Sequence, residues 1–274
     1  MKKIIKFLGL ITLICFSFFY TDKVMNVVSE QDPLKVEINS VADSYKINPN
    51  EAIIEKDTII PGNNGKKVNV EKSYKKMRKN NIFNKNLLIY DTLYPTYKLS
   101  ENLDKYIIKG SINNKSISVI LIINNNNNLE KIINIFNTKK IKANLFIEYN
   151  YLNNNINEIK NYTNHNIYSY QENYTYDSLI ISNNIIKRIS NNEPLYCLTK
   201  EKNKSNLNVC SYSKLNTIIP NIQGGINEVK SNLDNGSIIL LNTNNINEVS
   251  YIIEFIIKKG YKVVGLDKLL DENI

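Results

Sequence analysis

The chain has 274 residues, 42% of them hydrophobic, which suffices for one substantial core, or a core with a small companion domain, and excludes a disordered protein. Its 35 Lys and Arg against 26 Asp and Glu leave a net charge of +9, which favours an anionic partner such as a phosphate-rich wall polymer or lipid head groups; the basic residues are scattered and match no nucleic-acid reader, so nucleic acid is not an expected partner. A single His and three widely spaced Cys exclude a His-rich zinc site, a zinc-finger spacing and any mechanism that needs two histidines in one chain.

Residues 1–20 open with Lys2 and Lys3 and continue IIKFLGLITLICFSFFY, a positive stretch followed by an apolar run interrupted only by Lys6. This is an export signal. The run from Phe7 has the length of a signal-peptide core and falls short of the roughly 20 residues that a membrane span needs. It leaves through Phe18, Phe19, Tyr20 and Thr21, with no small-x-small cleavage site, and aromatic residues suit a membrane interface. With Ile4 and Ile5 included and Lys6 snorkelling, the segment makes a marginal span. The expectation is an uncleaved anchor, Lys2 and Lys3 in the cytoplasm and the rest of the chain outside; cleavage would make the protein secreted. Cys15 follows Leu13 and Ile14 rather than the small residues of a lipoprotein site, and reads as a buried apolar cysteine.

Residues 21–110 carry short apolar runs between turn signals. EAIIEKDTII, then PGNNG at Pro61–Gly65, then KKVNV read as a short β pair with a loop. SYKKMRKN (Ser73–Asn80) predicts a short helix, and NLLIYDTLYP an extended stretch before Pro95. No catalytic constellation falls here, and a stalk or adaptor is the economical role.

From residue 111 strands alternate with helical segments, the signature of parallel βα units. SISVILII (Ser116–Ile123) is a fully apolar strand, and Leu129, Ile132, Ile133 and Phe136 then mark one face of a helix. KANLFIEY and HNIYSY predict two more strands, with a short helix over Ile156–Asn161 between them and another over Ser178–Ile189. GSIILLN (Gly236–Asn242) is a late buried strand, INEVSYIIEFIIKKG a helix ending at a Gly cap, and YKVVGLDKLL closes the chain. Periodicity leaves open whether these units form an α/β barrel or an open parallel sheet. Cys197 and Cys210 either close a disulfide in an oxidising compartment or remain two core thiols.

The phrases IKANLFIEY, GSIILLN and KKGYKVVGLDKLL, in this order over roughly Lys115–Leu270, resemble a polysaccharide deacetylase domain. The resemblance implies a distorted (β/α) barrel of about seven strands with its site at the C-terminal strand ends. In that family the first strand ends Thr-Phe-Asp-Asp-Gly, the first Asp a base and the second a metal ligand; here the text is Ile122, Ile123, Asn124, Asn125, Asn126. An amide is no base near neutral pH and a weak ligand. The second motif has a His at a strand start and metal-binding His five and nine residues later. His165 takes the first position, and Tyr170 and Tyr174 the metal positions. The family's Arg-Pro-Pro-Tyr-Gly phrase is replaced by LYCLTKEKN, and the late Leu-His by Leu241 and Asn242.

The implied protein is a membrane-anchored envelope pseudoenzyme that has neither metal nor cofactor, and whose old cleft (Asn124, Asn125, His165, Tyr168, Tyr170, Tyr174 and Asn242) binds glycan or an envelope partner. Tyr168, Tyr170, Tyr174 and Tyr176 would either gather at the cleft or pack into the barrel wall. The competing readings are an active hydrolase of the C–N bonds of acetylated wall polysaccharide, using an unrelated site such as one in the N-terminal part, and a purely structural envelope or sporulation protein.

Overall fold

In the computed structural model, residues 11–20, 31–113, 115–125, 127–190 and 192–273 are described. Contacts divide the chain into two compact units, one of Met1–Pro49 with Asn64–Leu93, the other of Asn50–Asn63 with Tyr94–Ile274. Residues 11–20 are helical and exposed throughout, Cys15 included, contrary to its reading as a buried cysteine. Among the described residues no helix is long and apolar enough to cross a membrane. The rest of the expected anchor, residues 1–10, lies outside the described residues.

In the smaller unit, Asp32 caps the helix Pro33–Ala42 by accepting the Leu34 N–H (2.9 Å), and the Pro33 ring pre-sets the first turn. The Tyr74 hydroxyl donates to the other Asp32 oxygen at 2.8 Å, joining this helix to Val70–Met77. Strands β3 (Gly65–Val68) and β4 (Tyr90–Leu93) pair antiparallel, and Leu34, Ile38, Val68, Tyr74, Met77 and Leu88 form the buried cluster. The expected pairing of EAIIEKDTII with KKVNV is not formed. The first run folds on itself, β1 (Ile53–Glu55) against β2 (Thr58–Ile60), around Lys56 in the left-handed region at φ 52°, and belongs to the larger unit.

The larger unit is built around β6 (Ser116–Ile123). On its two sides lie β12 (Ile238–Leu241) and β7 (Asn144–Glu148), then β11 (Ile222–Gly224) and β8 (Asn166–Tyr170); all pair parallel, and β13 (Lys262–Val263) joins at the start of β6. Both faces of this sheet are covered, which is why its strands read as continuous apolar runs. Ile117, Val119, Leu121 and Ile123 pack with Ile132, Ile133 and Phe136 of helix Leu129–Thr138 and with Ile252, Ile253 and Ile256 of helix Ile246–Lys258. Ile120, Phe146, Tyr168 and Leu240 face the other way, onto Ile59, Ile107, Leu198 and Ile218. These last belong to a second sheet of order β1-β2-β5-β10-β9, with β5 at Tyr106–Ile107, β9 at Tyr196–Leu198 and β10 at Asn216–Ile218. The expected parallel βα units are present, but the strands are hydrogen-bonded as two sheets, not as one closed ring. Residues read as part of a stalk supply three strands of the second sheet, since β2 and β10 both pair parallel with β5.

At the N-terminal end of the central sheet, Asn144 and Asn166 bond to each other and to buried backbone groups. The Asn144 amide donates to the Val119 carbonyl (2.9 Å) and accepts from the Leu266 N–H (2.8 Å) and the Asn166 amide (3.2 Å). Asn166 also donates to Asp267 at 2.5 Å, and Gly265 stands where any Cβ would collide with that Asn166 amide. The ending GYKVVGLDKLL is thus fixed by backbone docking.

Candidate functional site

The parallel strands deliver their C-terminal ends to one edge, and the residues just beyond them form the clefts of this unit. Two adjoining clefts of about 500 and 380 Å³ share Tyr170, Gln171, Glu172 and Lys200. The larger continues along Thr199, Glu201, Asn203 and Gln223, and the smaller along Asn124, Glu148, Tyr149 and Asn150. A narrow pocket of about 30 Å³ between the ends of β6 and β12 is lined by Asn124, Asn125, Thr243 and Asn244. Asn242 is exposed at the same edge, its backbone N–H donating to the Gly224 carbonyl at 3.2 Å.

The expected site residues therefore divide. Asn124, Asn125, Tyr170 and Asn242 come to the same end of the sheet. His165, Tyr168 and Tyr174 do not line the clefts. His165 precedes β8 at the opposite end and is 3% exposed; its Nδ1 accepts the Ala143 N–H at 3.2 Å, and its ring meets Phe136 edge-on. Burial, with the neighbouring Lys142 charge, holds its pKa below the ordinary value. Tyr168 lies between the sheets, 4.9 Å from Phe146 and 5.5 Å from Tyr196 by ring centres. Tyr174 is packed against the Cys197–Cys210 disulfide, its hydroxyl donating to the Ser169 carbonyl (3.1 Å) and accepting the Leu198 N–H (3.2 Å). Tyr176 is 45% exposed and stacks edge-on with Tyr212. Tyr168 and Tyr170 face the same side of β8 and belong to one buried cluster, but Tyr170 ends the strand and reaches the edge, whereas Tyr174 lies beyond β8.

A divalent metal does not fit what stands at the family's ligand positions. Asn125 is exposed, its amide donating to Asn124 at 2.8 Å and accepting the Asn127 N–H at 3.0 Å. The Tyr170 phenol is held protonated by burial, reinforced by Glu172 and Glu148, and that of Tyr174 by burial despite its backbone partners. A neutral phenol is no substitute for imidazole on zinc. Among the described residues no three His, Cys, Asp or Glu side chains converge as a metal-binding group.

Sequence reasoning passed over Gln171, Glu172, Glu148, Lys200 and Gln223. All but Gln223, which is the middle residue of β11, lie in the last position of a strand or within two residues after one, and that placement is the available signal. Gln171 is 9% exposed, with its carbonyl oxygen accepting from Ser178 at 2.6 Å and its amide nitrogen buried without a partner among the described residues.

No family model matches the chain. A stretch of 134 residues is 34% identical to the uncharacterized protein YlxY of Bacillus subtilis strain 168; it covers 48% of this chain and 42% of that protein, so the chain spans less than half the length of this curated relative. Among solved structures, BA3943 of Bacillus anthracis, described as a CE4 family pseudoenzyme, superposes with a TM-score of 0.66 at 23% identity, over 89% of this chain and 96% of its own. PdaA of Bacillus subtilis, a family 4 carbohydrate esterase, superposes at 0.53 with 17% identity, over 62% of this chain and 86% of its own. A family 4 carbohydrate esterase from Bacillus anthracis gives 0.52 and 18%, over 61% and 87%. The chain has the fold of the family 4 carbohydrate esterases, as its resemblance to the polysaccharide deacetylases implied. The likeness to BA3943 also reaches well into the residues before 111.

Proposed function

We propose that this protein is a catalytically inactive, polysaccharide deacetylase-like component of the cell envelope that binds glycan without hydrolysing it. The observation that carries this reading is the replacement, at the cleft end of an intact sheet, of the family's base, metal ligands and acid by Asn124, Asn125, Tyr170, Tyr174 and Asn242. The clefts nonetheless offer what sugar hydroxyls require: an aromatic surface at Tyr170, a donor at Lys200, and acceptors at Glu148 and Glu172. The pseudoenzyme description of BA3943 supports the same reading.

Export is supported by the Cys197–Cys210 disulfide, which needs an oxidising compartment, and anchoring by helix 11–20, whose Leu13, Phe16, Phe18, Phe19 and Tyr20 are each 69–74% exposed. Titration of the protein with acetylated chito-oligosaccharide tests the function. Saturable binding without acetate release is expected, weakened by about 1 kcal/mol or somewhat more in Tyr170→Ala. Because Tyr170 is 8% exposed, melting of that variant is followed alongside. Unchanged affinity with a sharply lowered melting temperature would make Tyr170 a packing residue and remove the reading's best contact.

A further inference from the structure

Within the smaller unit, the stretch from Lys72 to Tyr90 holds six basic residues and no acidic one. Lys72 is paired with Asp91 at 3.3 Å, and the Arg78 guanidinium lies 5.9 Å from the Tyr74 ring centre. Lys75, Lys76, Lys79 and Lys85 are exposed and make no ion pair among the described residues. The helix Val70–Met77 ends in a tight turn in which the Asn80 and Asn81 N–H groups both donate to the Met77 carbonyl, at 3.0 and 3.1 Å. Asn81 is left-handed at φ 47°, and the next residue, Ile82, is 70% exposed. Basic residues near a helix C-terminus answer its dipole, but the dipole does not explain an isoleucine held in water among them.

We propose that this basic end of the smaller unit, with Lys75, Lys76, Arg78, Lys79 and Lys85 around the exposed Ile82, docks on an anionic phospholipid surface. Lysine and arginine there would pair with head-group phosphates while Ile82 enters the interface. Charge alone would suit a soluble polyanion equally well; the exposed isoleucine selects the lipid surface. The sequence agrees, since twelve residues separate Tyr20 from Pro33 and reach at most about 40 Å, so a membrane holding residues 1–20 stays within reach of this unit. Each basic residue near such a surface contributes about a fivefold gain in partitioning, and the gain falls with salt.

The test uses protein lacking residues 1–20, which separates this surface from the anchor; the described part of that segment is exposed throughout, and its removal takes no residue from any buried cluster. Flotation with vesicles of phosphatidylcholine alone is compared with vesicles one-third phosphatidylglycerol. Binding only to the anionic vesicles is expected, lowered on the order of 100-fold by Lys75→Gln/Lys76→Gln/Lys79→Gln, and about tenfold by Ile82→Asn with its salt dependence unchanged. All four side chains are exposed, so both variants should melt as the parent does. Equal or absent binding to the two vesicle types would overturn the proposal. So would full binding by the triple variant, or binding to soluble polyglycerol phosphate in place of vesicles with Ile82→Asn indistinguishable from the parent.

Discussion

The two ends of the central sheet differ in how their polar groups are used. At the N-terminal end, Asn144, Asn166 and His165 are buried and bond to specific backbone or side-chain partners, Asn166 reaching the exposed Asp267, so each one fixes where a strand or helix begins. At the C-terminal end, Asn124, Asn125 and Asn242 are exposed and bond to one another or to local backbone, and the buried amide nitrogen of Gln171 has no partner among the described residues. In folds of parallel βα units the first end serves stability and the second chemistry. Here the first end is built from bonded, buried amides, and the second carries amides and phenols where the resemblance implies a base, metal ligands and an acid, which accords with the inactive protein proposed above.

The largest effect that would sharpen the contrast is at Asn144. Replacing it with Ala leaves the Leu266 N–H and Val119 carbonyl buried without partners, and should lower unfolding free energy by about 4 kcal/mol in denaturant titration. Asn125→Ala should cost less than about 0.5 kcal/mol as a surface change; comparable costs would break the comparison. The Cys197–Cys210 bridge, 13 residues apart, closes a loop that carries Thr199, Lys200, Glu201 and Asn203 of the cleft wall. Its removal by Cys197→Ser/Cys210→Ser should cost about 3 kcal/mol and weaken chito-oligosaccharide binding with it. The smallest effect is a pH dependence. The folded pKa of His165 lies below its ordinary value near 6.5, so its contribution to stability is full above pH 6.5 and is lost as pH falls through the folded pKa. Melting temperatures between pH 7.5 and 5 should therefore fall more in the parent than in His165→Gln, and parallel curves would show that His165 does not titrate differently on folding.

The parallel core was legible because its strands and helices carry their own periodicity. Ser116–Ile123 was read at its observed bounds, and helix Ile246–Lys258 was placed with Gly260 at φ 82° as its stop. The second sheet was not legible. β5 is two residues long, and β9 and β10 are three each, so pairing rather than local pattern defines them. The turn at Lys56 and Asp57 was hidden for the same reason, because a positive φ at a lysine leaves no Gly or Asn signal. In the site, Asn124, Asn125, Tyr170 and Asn242 stand at one end of the sheet, whereas Tyr168 packs between the sheets and Tyr174 against the disulfide, which motif spacing does not reveal. His165, expected in the cleft, is instead buried at the opposite end of the sheet, where its Nδ1 accepts the Ala143 N–H.

The central claim is that the deacetylase fold persists without the deacetylase reaction. Metal content of the purified protein, measured by mass spectrometry with acetate release from acetylated chito-oligosaccharide in added zinc, cobalt or nickel, tests it most directly. The account predicts no stoichiometric metal and no acetate above the buffer rate. About one equivalent of tightly held metal, with acetate release that Asn125→Ala abolishes, would contradict it.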